Sequence, residues 1–99
     1  MEPRKTAWSI LCRVIQEGGY ANLLLRKLPE DSTREDRALV SEIVYGTLRN
    51  QTMLELQWKD LVRTSVRPKT AILLDLSVYQ LQYMSRIPAY AVINEAVRL

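Results

Sequence analysis

The chain has 99 residues, 47% of them hydrophobic and 25% charged, with a formal net charge of +3. That is the composition of one ordinary globular domain with little stability to spare. It holds no His, one Cys and three Gly, which excludes triads with a His base, His-ligated zinc, an internal disulfide, a Walker loop and a dinucleotide fingerprint.

Helical periodicity runs through the chain and no strand is convincing, so the predicted class is all-α. Pro3 suits a first helical position, and Ala7, Leu11, Val14 and Ile15, with Trp8 at the flank, make an apolar face that lasts until Gly18-Gly19. Lys5, Ser9, Arg13 and Gln16 lie opposite, and Cys12, on the border of the apolar face, is assigned to packing. The stretch YANLLLRKL forms a short second helix ahead of Pro29, with Arg26 and Lys27 in its last turn, where cations are favoured. Ser32 and Glu35 then read as a capping box, followed by Leu39, Val40, Ile43 and Val44 on one face. The carboxylate pairs Glu30/Asp31 and Glu35/Asp36 sit beside helix starts and serve the helix dipole rather than acid–base chemistry.

Leu54, Trp58, Leu61 and Val62 continue the same face. One rod over 32–62 would be roughly 45 Å long, more than the diameter of such a domain, so a bend or break is expected between Gly46 and Thr52. The segment from Pro68 to about Met84 is apolar nearly all round, with a narrow strip left at Ala71, Asp75 and Gln82, and is predicted to be the buried central helix. Pro88 opens a terminal helix with Val92, Ile93, Ala96, Val97 and Leu99 on one face and Asn94, Glu95 and Arg98 on the other; no Gly, Asn or Pro cap follows it. Trp8, Trp58 and the tyrosines fall on or beside apolar faces and are expected in the core rather than as stacking platforms for bases. The longest apolar runs, at 23–25 and 71–74, are far too short for a membrane span or a secretory leader, and the chain reads as cytoplasmic.

Three segments, GGYANLLLRKL, DRALVSEIVYGTLRN and LLDLSVYQLQYMSRIPAYAVINEAVRL, resemble in order and spacing the N-terminal, NusB-like domain of RsmB-type 16S rRNA cytosine-5 methyltransferases. The last of them is shared with the wider family that includes the transcription antitermination factor NusB. The resemblance spans practically the whole chain. It implies a single NusB-like RNA-binding domain over 1–99, a compact bundle of about six helices around the central helix at 68–84. It also implies that the family's final helix is missing, so that Leu99 reads as a cut in a longer methyltransferase. A linker and an S-adenosylmethionine-binding catalytic domain would follow, leaving no cofactor and no catalytic residue in this chain. Apolar surface at Leu74, Val78 and Leu81, or at Val92 and Ala96, would then be uncovered and promote self-association.

The charge of +3 is compatible with a nucleic-acid partner, and the resemblance points to RNA, 16S rRNA first. NusB proteins use a basic first helix; the matching segment here holds Arg4, Lys5 and Arg13, of which Lys5 and Arg13 project from the polar face. Arg63, Arg67 and Lys69 form a second cluster around Pro68, and Arg49 with Asn50 follows YGTL. Each group also reads as a solvated face. Arg37, Asn94 and Glu95 stand at motif positions that pairing or capping between helices explains equally well. Three functions follow: a non-catalytic module that positions 16S rRNA for a methyltransferase domain in cis, an antitermination factor that binds boxA-like RNA with a ribosomal protein, or a domain that only packs on its own catalytic domain.

Overall fold

Residues 1–84 are described by the structure, a computed structural model, and all their regular structure is helical. The order is α1 (Pro3–Glu17), α2 (Ala21–Arg26), α3 (Arg34–Arg49), α4 (Gln51–Lys59) and α5 (Pro68–Tyr83). The helix expected from Pro88, with Asn94 and Glu95, lies outside the described residues.

The first helix starts where Pro3 places it. Glu2 stays extended, and its carboxylate accepts from the backbone N–H of Arg4 at 3.2 Å and of Lys5 at 2.6 Å, satisfying two of the free donors at the helix start. It ends at Gly18, whose φ of 72° is left-handed, and the N–H of Gly19 closes back on the Arg13 carbonyl at 3.0 Å. A Cβ at Gly19 would meet the Arg13 carbonyl oxygen and Leu24 Cδ1 at 3.2 Å, so the two glycines turn the chain tightly enough for α2 to fold back against α1.

The third helix begins one residue later than the pattern of Ser32 and Glu35 suggests. Thr33 is the cap, its hydroxyl accepting from the Asp36 N–H at 3.0 Å. Ser32 is engaged elsewhere: its N–H closes a turn on the Pro29 carbonyl at 3.0 Å, and its own carbonyl accepts from Arg37 Nε at 3.5 Å. Arg37 Nη2 also donates to the Pro29 carbonyl at 2.7 Å, so this side chain holds the connection between α2 and α3.

The expected break falls at Asn50. Its N–H reaches the Gly46 and Thr47 carbonyls at 3.2 Å and its side-chain Nδ2 takes the Gly46 carbonyl at 2.8 Å, which caps α3; the non-helical backbone of Asn50, with φ −114° and ψ 15°, separates it from α4. Leu54 and Trp58 keep their place in the core, but Leu61 does not: α4 stops at Lys59, a turn bonds the Leu61 N–H to the Trp58 carbonyl, and the Leu61 side chain is 81% exposed.

The core joins Ala7, Ile10, Leu11 and Cys12 of α1 to Val40, Ile43 and Val44 of α3, Leu54 of α4, and Ile72, Leu73, Leu76 and Tyr79 of α5. Helix α3 packs against all four other described helices, and α5 against α1, α3 and α4. The α3–α5 crossing is close because Gly46 has no side chain; a Cβ there would overlap the Tyr79 ring. The strip expected to be polar on α5 is only partly so. Asp75 is 4% exposed, because its Oδ1 accepts from the Trp58 indole N–H at 2.7 Å and the pair is enclosed between α4 and α5. Gln82 stays at the surface, where its amide pairs with that of Gln57.

Candidate nucleic-acid interface

Lys5, Ser9 and Arg13 follow one another at four-residue intervals along α1. One helical row therefore carries all three, spanning about 12 Å of axis at 1.5 Å per residue. Opposite faces of the same helix are consumed by the core, which fixes this row outward; all three side chains are exposed.

The row forms a ridge between two shallow clefts. One, of about 380 Å³, lies between α1 and the end of α2, where Leu24, Leu28 and Pro29 form the far wall and Lys27 the rim. The other, of about 330 Å³, lies toward α5, bounded by Trp8, Cys12, Glu17 and Lys69. Trp8 is fixed in that wall by its indole N–H, which donates to the Lys69 carbonyl at 2.8 Å across α1 and the first turn of α5. Four cations thus converge: Lys5 and Arg13 on the ridge, Lys27 and Lys69 on the far sides. None of the four pairs with a described carboxylate, the one ion pair among the described residues being Arg4 with Glu2 at 3.7 Å. Glu17 is the acidic group on these walls.

The sequence-predicted cations are distributed unevenly. Lys5 and Arg13 stand on the ridge and Lys69 joins them. Arg4 is half-buried, and its guanidinium pairs with the capping Glu2 carboxylate at 3.7 Å. Arg49 is exposed in the last turn of α3, Arg63 is exposed in the connection before α5, and Arg67 is the exposed residue that precedes α5; none of these three lines either cleft. The sequence cluster around Pro68 is therefore split in space. Lys27 is the cation that sequence reasoning assigned only to the α2 dipole. The signal that finds it is the Gly18-Gly19 turn, which lays the end of α2 beside α1.

Cys12 in the second cleft is buried. Burial pushes its thiol up, the neighbouring Lys69 pulls it down and Glu17 raises it again. The net upward shift leaves it protonated at neutral pH, a packing group rather than a nucleophile. Among the described residues no group of three His, Cys, Asp or Glu side chains could hold a metal, and no described helix is long and apolar enough to cross a membrane.

A profile of the NusB family matches residues 1–99. The chain belongs to the NusB family. Within it, the domain is 37% identical over 97% of its length to the probable ribosomal RNA small subunit methyltransferase B of Bacillus subtilis. It is 34% identical over 98% to ribosomal RNA small subunit methyltransferase B of Pasteurella multocida, and 30% identical over 95% to that of Proteus mirabilis. This NusB-family domain spans only 22% to 23% of the length of these relatives. No solved structure matches it. The helical bundle of the described residues agrees with the family assignment, and the first helix of this NusB-family domain presents the basic ridge.

Proposed function

We propose that this NusB-family domain is a non-catalytic module that binds and positions 16S rRNA for a cytosine-5 methyltransferase domain in the same protein, in the cytoplasm. The observation that carries the reading is the meeting of Lys5, Arg13, Lys27 and Lys69 over two clefts without a described carboxylate partner. Such a surface attracts phosphates, gives affinity without reading sequence, and releases counterions on binding. The relatives' names supply the choice of RNA: they are methyltransferases of small-subunit ribosomal RNA.

On this reading S-adenosylmethionine belongs to another domain of the longer protein; the three glycines of this chain make no strand-to-helix cradle for a nucleotide cofactor. The role of the domain is to hold RNA so that a cytosine reaches that separate site.

The test is binding of the chain to a 16S rRNA fragment containing the decoding region, titrated across salt concentrations, beside the Lys5→Ala/Arg13→Ala variant. Affinity falls as salt rises, and the variant binds more weakly with a salt slope shallower by about two. Absence of binding at low salt turns the proposal toward a domain that only packs on its own catalytic partner. Unchanged binding in the variant moves the RNA surface away from α1.

A further inference from the structure

We infer that Arg37 is a positioning residue of the RNA surface that touches no RNA itself: its guanidinium brackets the connection between α2 and α3 and so sets where Lys27 stands. The inference rests on the RNA-binding reading and adds to it the control of one of the four cations from a different helix.

Helix α2 has little of its own to hold it. Six residues are too few for a helix that stands alone, and this one has neither a side-chain cap nor a buried residue. Its place on the molecule is therefore set at its two ends. At the start, the Gly18-Gly19 turn lays it beside α1. At the far end the Lys27 N–H closes on the Leu24 carbonyl at 3.1 Å, Leu28 enters the core, and the chain turns through Pro29 to Ser32.

Arg37 acts on that turn. From near the start of α3 its Nη2 donates to the Pro29 carbonyl at 2.7 Å and its Nε to the Ser32 carbonyl at 3.5 Å. The Pro29 carbonyl also accepts the Ser32 N–H at 3.0 Å, so one oxygen ties the turn both to itself and to α3. A planar fork of donors suits two carbonyls on one bend, a geometry that a compact ammonium group does not reproduce. No described carboxylate pairs with Arg37, and the donors it has committed to the main chain are withdrawn from phosphate.

Pro29 links the bracket to the basic surface. It is the acceptor of Arg37 and also part of the far wall of the α1–α2 cleft, two residues from Lys27 on the rim. Without Arg37 the connection loses its tie to α3, and Lys27 no longer has a fixed station across the cleft from Lys5 and Arg13. A cation that must be ordered at the moment of binding contributes less to it.

The test is a double-mutant cycle between Arg37→Ala and Lys27→Ala on the whole chain, with the 16S rRNA fragment titrated across salt concentrations. Arg37→Ala alone should weaken binding about threefold or more and lower the salt slope by about one, as Lys27→Ala does. In the Lys27→Ala background, Arg37→Ala should change affinity by less than about twofold and leave the slope where it is. Thr33→Ala removes the α3 cap without touching the Pro29 carbonyl; as the control for lost stability it should leave the slope unchanged. If Arg37→Ala melts below the assay temperature, Arg37→Gln takes its place in the cycle, because its amide keeps one donor, and the same non-additivity is expected. Additive losses, with the slope of the double variant lower by about two, make Arg37 a phosphate contact in its own right and overturn the inference. Unchanged RNA binding by Arg37→Ala, whatever its stability, also overturns it, as does unchanged binding by Lys27→Ala, which leaves Arg37 nothing to position; in these cases Lys5- and Arg13-dependent binding stands. Failure of the wild-type chain to bind the fragment at low salt overturns the RNA-binding reading and this inference with it.

Discussion

Two single residues decide how closely the helices approach. Gly46 sits inside α3, where Gly costs about 1 kcal/mol relative to Ala, and it is there because the Tyr79 ring occupies the space of a side chain. Gly46→Ala regains that helix propensity but must displace a buried ring stacked on Tyr83 at 5.2 Å; with overpacking at roughly 1–3 kcal/mol, the net change is a loss of up to about 2 kcal/mol. Urea unfolding measures it, and in a Tyr79→Leu background the same substitution should be neutral or stabilising. A loss of the same size in both backgrounds removes Tyr79 from the explanation. Asp75 is the second. Burial pushes its carboxyl up from the ordinary 3.8, the Trp58 N–H pulls it partly back, and the charge of Glu55 raises it again. Because the folded form holds the proton more tightly than the unfolded form, the contribution of Asp75 to stability is fully present below 3.8 and is lost as pH rises through its raised folded value. Asp75→Asn, which keeps an acceptor for Trp58, should remove that part of the slope in unfolding free energy against pH. Superimposable slopes for the two proteins would show that Asp75 titrates normally.

At the level of the helices, the sequence signals differ in how far they reach. Pro3, Gly18 and Pro68 mark boundaries through their own backbone restrictions, and the structure keeps all three. The break at Asn50 was legible from length alone, since an uninterrupted rod would outrun the domain. The start of α3 was misplaced by one residue because Ser32 and Thr33 are equally good caps in isolation; the turn that Pro29 closes on Ser32, together with Arg37, decides between them. Thr33→Ala should therefore cost about 1 kcal/mol in thermal or urea unfolding and Ser32→Ala only a few tenths. The reverse order would restore Ser32 as the cap. Periodicity also overestimated the core. Leu61 lies past the end of α4, and Tyr20, Tyr45 and Tyr83 are exposed although they flank apolar faces. Asp75 failed in the opposite direction: its partner Trp58 is seventeen residues away, a distance that no local pattern encodes.

For the molecule as a whole, the basic surface was half legible. Lys5 and Arg13 were found because they share the polar side of one helix, whereas the addition of Lys27 and Lys69 depends on how α2 and α5 pack against it. Lys27→Ala and Lys69→Ala should each lower the salt slope of RNA binding by about one, as should either ridge residue; Arg49→Ala and Arg63→Ala, outside both clefts, should leave it unchanged. A slope that responds equally to all six positions would mean diffuse attraction by net charge. The apolar surface left outside the core, at Met53 and Leu56 of α4, Leu61 beyond it, and Leu81 and Tyr83 of α5, is spread over several segments. The two tryptophans divide the labour of observation between them. Trp58 is enclosed with Asp75 between α4 and α5, so at a fixed pH its surroundings change when those two helices separate, while Trp8 stands half-covered in a cleft wall beside Lys69. Intrinsic fluorescence of Trp58→Phe protein therefore follows occupancy of the ridge, that of Trp8→Phe protein follows unfolding, and the molecule carries separate optical reporters for binding and for integrity without an added label.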